Sequence, residues 1–141
     1  MPLAEPVDLR TGVRDIDGGT EGLCYLMGRL FDPLVECRRR HGGCDRRHCT
    51  RVAALMTYLE RSFAREEALM AAADYPQAGQ HRHEHERLAA VLGHMHDGNV
   101  CADRDRAQLD GVIGRWLRDH VGKADRRLGR WALTRRLRPP G

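Results

Sequence analysis

Apolar side chains in this chain recur every three or four residues, in four blocks interrupted by glycine, proline and asparagine. Leu23, Leu26, Met27, Leu30 and Leu34 form the first stripe, and Val52, Leu55, Met56, Leu59, Phe63, Ala64, Leu69 and Met70 the second. On the third, His81, His85, Leu88, Leu92 and Met95 or His96 share a face, and the fourth carries Ala102, Leu109, Val112, Ile113, Trp116, Leu117 and His120. This is the period of an amphipathic helix, and no segment sustains the alternation of a strand. Gly42 and Gly43, Tyr75 and Pro76, and the "HDGN" turn punctuate the blocks, so the connections are short. Four amphipathic helices with short connections predict an all-α fold, an up-down four-helix bundle. Thr20 is expected to cap the first helix. Residues 1–19, with scattered Pro and Gly, read as an extended N-terminal arm. Leu128, Trp131, Ala132 and Leu137 predict a short basic C-terminal helix, docked by its apolar side, within the basic tail 126–141.

A chain of 141 residues is long enough for one continuous core and short for two, so a single domain over 1–141 is expected. No apolar run reaches the length of a membrane span. The first residues, "MPLAEPVDLRTGVRDIDGG", lack the basic start and apolar centre of an export signal, which predicts a cytoplasmic protein. The net charge of +4 is concentrated in "RRRHGGCDRR" and in the acid-free "RRLGRWALTRRLRPPG". Without a nucleic-acid-binding motif these patches read as solvated surface rather than a specific nucleic-acid site, although the tail could meet a protein partner. The five cysteines cannot all pair, and the spacing of Cys37, Cys44 and Cys49 is unlike that of a structural zinc site, so free thiols are expected.

The stretch "YPQAGQHRHEHERL" holds three histidines that helix geometry divides. His81 and His85, four apart, lie on one face with Leu88 and Leu92, whereas His83 points outward. Histidines turned into a core need hydrogen bonds or a metal. A satisfied polar layer would answer that need, and so would an exposed helix edge. Polar residues on the other apolar faces favour the metal: Glu66 continues the line of Leu55, Leu59 and Phe63, His120 lies on the stripe of Ile113, Trp116 and Leu117, and Asp125 follows five residues later, near the end of helix four. Three imidazoles and two carboxylates converging from three helices suit iron, manganese or zinc. Tyr58 and Trp116 read as core packing.

"SFAREEALMAAADYPQAGQHRHEH" together with "WLRDHVGKAD" resembles the hemerythrin and bacteriohemerythrin family of non-heme iron proteins. The family's pattern of His-Phe-x-x-Glu-Glu-x-x-Met, Tyr-Pro, His-x-x-x-His and His-x-x-x-x-Asp is met by Phe63, Glu66, Glu67, Met70, Tyr75, Pro76, His81, His85, His120 and Asp125. The resemblance implies one iron on His81, His85 and His120, with Glu66 and Asp125 bridging to a second that takes two further histidines. Those two are absent, because Thr20 and Ser62 stand in their places.

The departure implies an altered centre, with one ion favoured over two, binding or sensing O2 or NO. A dinuclear centre completed by Glu21, Cys24 or water, with peroxidase or oxidase activity, is a second reading. A metal-free helical interaction protein is a third. The sequence leaves the oligomeric state open.

Overall fold

A computed structural model of the chain describes residues 9–30 and 49–137. The first stripe beyond Leu30, the arginine- and cysteine-rich stretch with Cys37 and Cys44, the first eight residues and the last four lie outside the described residues. Helix α1 spans Arg14–Leu30, α2 Thr50–Ala72, α3 Ala78–Asp97 and α4 Arg106–Trp116. A π-helical segment, Leu117–Asp125, continues α4 directly into α5, Arg126–Leu137. With α4, the π segment and α5 forming one rod, four helical rods pack as the expected antiparallel bundle, and the described residues contain no strand.

Two expected boundaries are corrected. The arm does not extend to residue 19, because α1 begins at Arg14 and Thr20 lies inside it. Asp17 anchors this start: its carboxylate accepts from the Thr11 amide at 2.8 Å, the Thr11 hydroxyl at 2.7 Å and the Gly12 amide at 3.0 Å. Val13 and Ile16, both fully buried, pack with Met70, Tyr75, Leu128 and Ala132, and this burial overrides the poor helix propensity of Gly18 and Gly19. Asp125, expected at the end of helix four, instead lies within a continuous rod and is 1% exposed. The basic C-terminal helix is the far end of that rod, docked through Leu128 and Ala132, and the Trp131 indole N–H donates to Ala73 O at 2.7 Å.

The core divides along the bundle. One apolar cluster contains Leu23, Leu55, Phe63, Leu92 and Ile113; the other contains Val13, Ile16, Met70, Tyr75 and Leu128. On α2, Phe63 belongs to the first and Met70 to the second, with the buried Glu66 between them. A polar layer is thus held between two dry ones.

Helices α1 and α2 approach closely at glycines. Tyr58 donates its hydroxyl to Gly19 O at 2.8 Å, and a Cβ at Gly22 would collide with that hydroxyl and lie 2.9 Å from Tyr58 Cζ. Glycine to alanine in a helix normally stabilises by about 0.5–1 kcal/mol. Gly28, where an added methyl group would meet no atom of the described residues within 4 Å, should follow that rule. Gly22→Ala should instead destabilise by about 1–3 kcal/mol through overpacking. Urea midpoints of the two variants check the opposite signs.

Candidate metal centre

The polar layer is a cluster of five buried side chains, Glu66 from α2, His81 and His85 from α3, and His120 and Asp125 from the π segment. One potential ligand atom from each lies within 4.8 Å of all the others. These are the five side chains expected from the sequence. His83 is exposed, as its position two residues from His81 requires.

The π segment explains how Asp125 reaches the site. In an α-helix, residues five apart are separated by roughly 140° around the axis, so Asp125 would face away from His120. Wider winding, with hydrogen bonds spanning five residues rather than four, brings the fifth residue back beneath the first. Asp125 Oδ1 consequently lies 3.1 Å from both His120 Nε2 and His81 Nε2.

On the other side, Glu66 Oε1 is 3.0 Å from His81 Nε2, 3.1 Å from His85 Nε2 and 3.9 Å from His120 Nε2. The three rings pack closely, with the centroids of His81 and His120 4.4 Å apart. His120 Nε2 and Asp125 Oδ1, despite their proximity, are not aligned as a hydrogen bond, and both are buried without one among the described residues. Buried polar atoms normally find partners. Two such atoms facing a common point, beside further imidazole and carboxylate donors, fit a cation better than a hydrogen-bonded polar layer.

The outer edges of two rings are fixed by carboxylates that the sequence reading left without a role. Glu67 Oε2 lies 3.0 Å from His85 Nδ1, and Glu84 Oε1 2.7 Å from His120 Nδ1. A carboxylate can only accept, so each Nδ1 carries a proton and its Nε2 is turned inward, where His85 Nε2 donates to Glu66 Oε1 at 3.1 Å and would give up that proton to offer a lone pair to a metal. The signal for Glu84 was its position beside His85 and one turn beyond His81. Aromatic rings cover the same two imidazoles. Phe63 stacks on His85 at 4.0 Å and 4°, and Trp116 on His120 at 3.8 Å and 8°. Trp116, expected only to fill the core, also orients a site residue.

Burial disfavours the charged forms, yet the cluster overcomes it. Burial pushes the Glu66 carboxyl up, but the neighbouring His120 imidazole and the hydrogen-bonded His81 and His85 together hold it well below the usual carboxylate range. Burial pulls His120 down, whereas Asp125, Glu66 and Glu84 raise it to about 10. His81 is opposed by burial in the same way and raised by Asp125 and Glu66. A divalent cation would take over the positive charge that the protonated imidazoles otherwise provide.

The positions of the two absent histidines hold hydroxyls. Ser62 is buried on α2, and a Cβ at Gly19 would collide with its hydroxyl. Thr20 turns its hydroxyl back to Ile16 O at 3.4 Å. Glu21 and Cys24 are both exposed on α1 and stand outside the cluster.

Among the described residues, no helix is long and apolar enough to cross a membrane. No solved structure matches the chain. A bacteriohemerythrin from Ralstonia nicotianae is 31% identical over 86 residues, which cover 58% of this chain and 61% of that protein. The match thus spans about three-fifths of the relative's length. A family model described as the hemerythrin HHE cation binding domain matches residues 27–132, most of the chain and all five converging side chains. With a helical bundle around a buried histidine and carboxylate cluster, this chain belongs to the hemerythrin HHE cation-binding family.

Proposed function

We propose that this protein holds a single non-heme metal ion, iron, on His81, His85, His120, Glu66 and Asp125, and that it binds or senses a small diatomic, O2 or NO. The observation that carries this reading is the convergence of five buried donors within 4.8 Å. The likeness to a protein named bacteriohemerythrin supports it. Bound iron would supply a redox-active coordination position for the diatomic. His81, His85 and His120 would offer Nε2, Glu67 and Glu84 would keep the His85 and His120 rings oriented, and Phe63 and Trp116 would limit their rotation.

One ion is favoured over two by the contact between α1 and α2. Gly19 meets Ser62 closely, and the Glu21 and Cys24 side chains are exposed, so neither supplies a donor to replace an absent histidine. Mixed nitrogen and oxygen donors also suit manganese and zinc, so the metal's identity is part of the test. Elemental analysis of protein purified without oxygen should find about one iron per chain. Two ions per chain would refute the mononuclear centre, and no retained metal with no thermal shift on adding Fe2+, Mn2+ or Zn2+ would refute the metal reading altogether.

Metal uptake should also release protons. In chelator-stripped protein His120 keeps its proton up to about pH 10, and a ligating Nε2 must lose it. Apparent affinity should therefore rise with pH through neutrality, by about tenfold per unit for each proton displaced. Calorimetric titrations in buffers of different ionisation enthalpy check the proton count.

A further inference from the structure

The cluster approaches the surface beside α5. A cavity of about 10 Å3, room for a single water, is lined by Gln80, His81 and Glu84 together with Tyr75, Gln77 and Arg127. The last three also line a wider cleft of about 420 Å3, whose wall includes Arg130 and Trp131. The cleft is within the size range of small-molecule sites, and it adjoins the polar layer through shared residues.

Its chemistry is one-sided. Among the described residues the cleft is lined by two guanidiniums and no carboxylate. Arg127 and Arg130 are three apart on α5 and therefore share a side, and both are exposed. Neither forms an ion pair among the described residues, unlike Arg135, which reaches Asp74 at 3.4 Å. Two neighbouring guanidiniums suit phosphate or carboxylate oxygens. Trp131, one helical turn beyond Arg127 in the same cleft, is half-buried and held in place by its N–H bond to Ala73 O at 2.7 Å. Tyr75 packs beside it at 6.1 Å and 58°. The Arg135 guanidinium also lies over the Trp131 ring, 5.8 Å from its centre, so a planar ligand would meet a ring already fixed and, on that side, a third cation.

We propose that this cleft binds a small planar organic anion, with the anionic group on Arg127 and Arg130 and the ring against Trp131, and that the bound molecule covers the passage to His81 and Glu84. The covering role rests on the metal reading above, whereas the binding site does not.

Flavin mononucleotide, a fluorescent planar phosphate ester, is a suitable probe for the full-length metal-loaded protein. Anisotropy should show saturable binding, at least tenfold weaker for riboflavin, which lacks the phosphate, and competed only weakly by inorganic phosphate, which lacks the ring. Arg127→Ala with Arg130→Ala should weaken binding at least tenfold while metal content and helicity stay unchanged. No binding, or equal binding by the double variant, would overturn the site. In stopped-flow mixing with NO, saturating flavin mononucleotide should slow association at least threefold in the parent and leave the double variant unaffected. An unchanged rate in the parent would overturn the covering role. Failure of the metal reading is distinct, since it would remove the NO signal before any flavin is added while the anisotropy result still decides the cleft.

Discussion

Replacing His120 with alanine should abolish stoichiometric metal binding. His120 is the nitrogen donor that the π segment contributes, and its ring is fixed on two sides, by Trp116 stacked at 3.8 Å and by Glu84 Oε1 2.7 Å from Nδ1. Losing a partner behind a ligand typically costs about 10–100-fold in metal affinity, so losing the ligand itself should cost more than about 100-fold. Glu84→Ala belongs to the lower range. Glu84→Gln should fall between Glu84→Ala and the parent, because its amide oxygen can still accept from Nδ1 but carries no charge. A second readout is thermal. An ion at about a thousand times its dissociation constant stabilises the folded state by about 4 kcal/mol. Melting should therefore rise on metal addition in the parent, rise less for Glu84→Ala and stay unchanged for His120→Ala. A full metal-dependent shift in His120→Ala would show that the imidazole is not a ligand.

The readable parts of this fold were those set by periodicity. The stripes from Val52 to Met70 and from His81 to Met95 lie within α2 and α3, and the inward direction of Glu66, His81 and His85 followed from the same spacing. Two features escaped it because they depend on contacts between distant segments. The start of α1 depends on Asp17 holding Thr11 and Gly12 and on Ile16 packing against α5, whereas local propensity around Gly18 and Gly19 pointed to an arm. The five-residue spacing from His120 to Asp125 does not fit α-helical periodicity, and only the π winding reconciles it with one face. Asp125 counts among the expected donors because it follows His120 closely, although α-helical spacing would turn it away, and the family's His-x-x-x-x-Asp pattern carries the same irregular spacing. Glu84 was hidden for another reason. A half-exposed glutamate on a charged helix is ordinary until the ring it orients is known.

Glu66→Ala should cause the largest loss of stability in the chelator-stripped protein. Glu66 is 4% exposed and lies at the centre of three imidazoles, two of them within 3.1 Å of Oε1. Removing one partner from a buried charged cluster leaves the others uncompensated and costs roughly 3–5 kcal/mol. The pH dependence separates this effect from simple cavity formation. The folded pKa of Glu66 is held well below the usual carboxylate value, so its contribution is present above that value and is lost as pH falls through the folded pKa. His120 is raised from 6.5 to about 10, so its contribution is complete below 6.5 and is lost as pH rises through 10. These are two limbs of one set of charge interactions, and stability of the stripped parent should fall toward both acid and alkali. Glu66→Ala should flatten both limbs, because His120 loses one of its partners and the carboxylate is gone. Urea midpoints measured from about pH 2 to about pH 11, a window that spans both limbs, decide the matter. A uniform drop at every pH would mean that Glu66 contributes packing alone, whereas convergence with the parent at the extremes would identify its charge as the stabilising element.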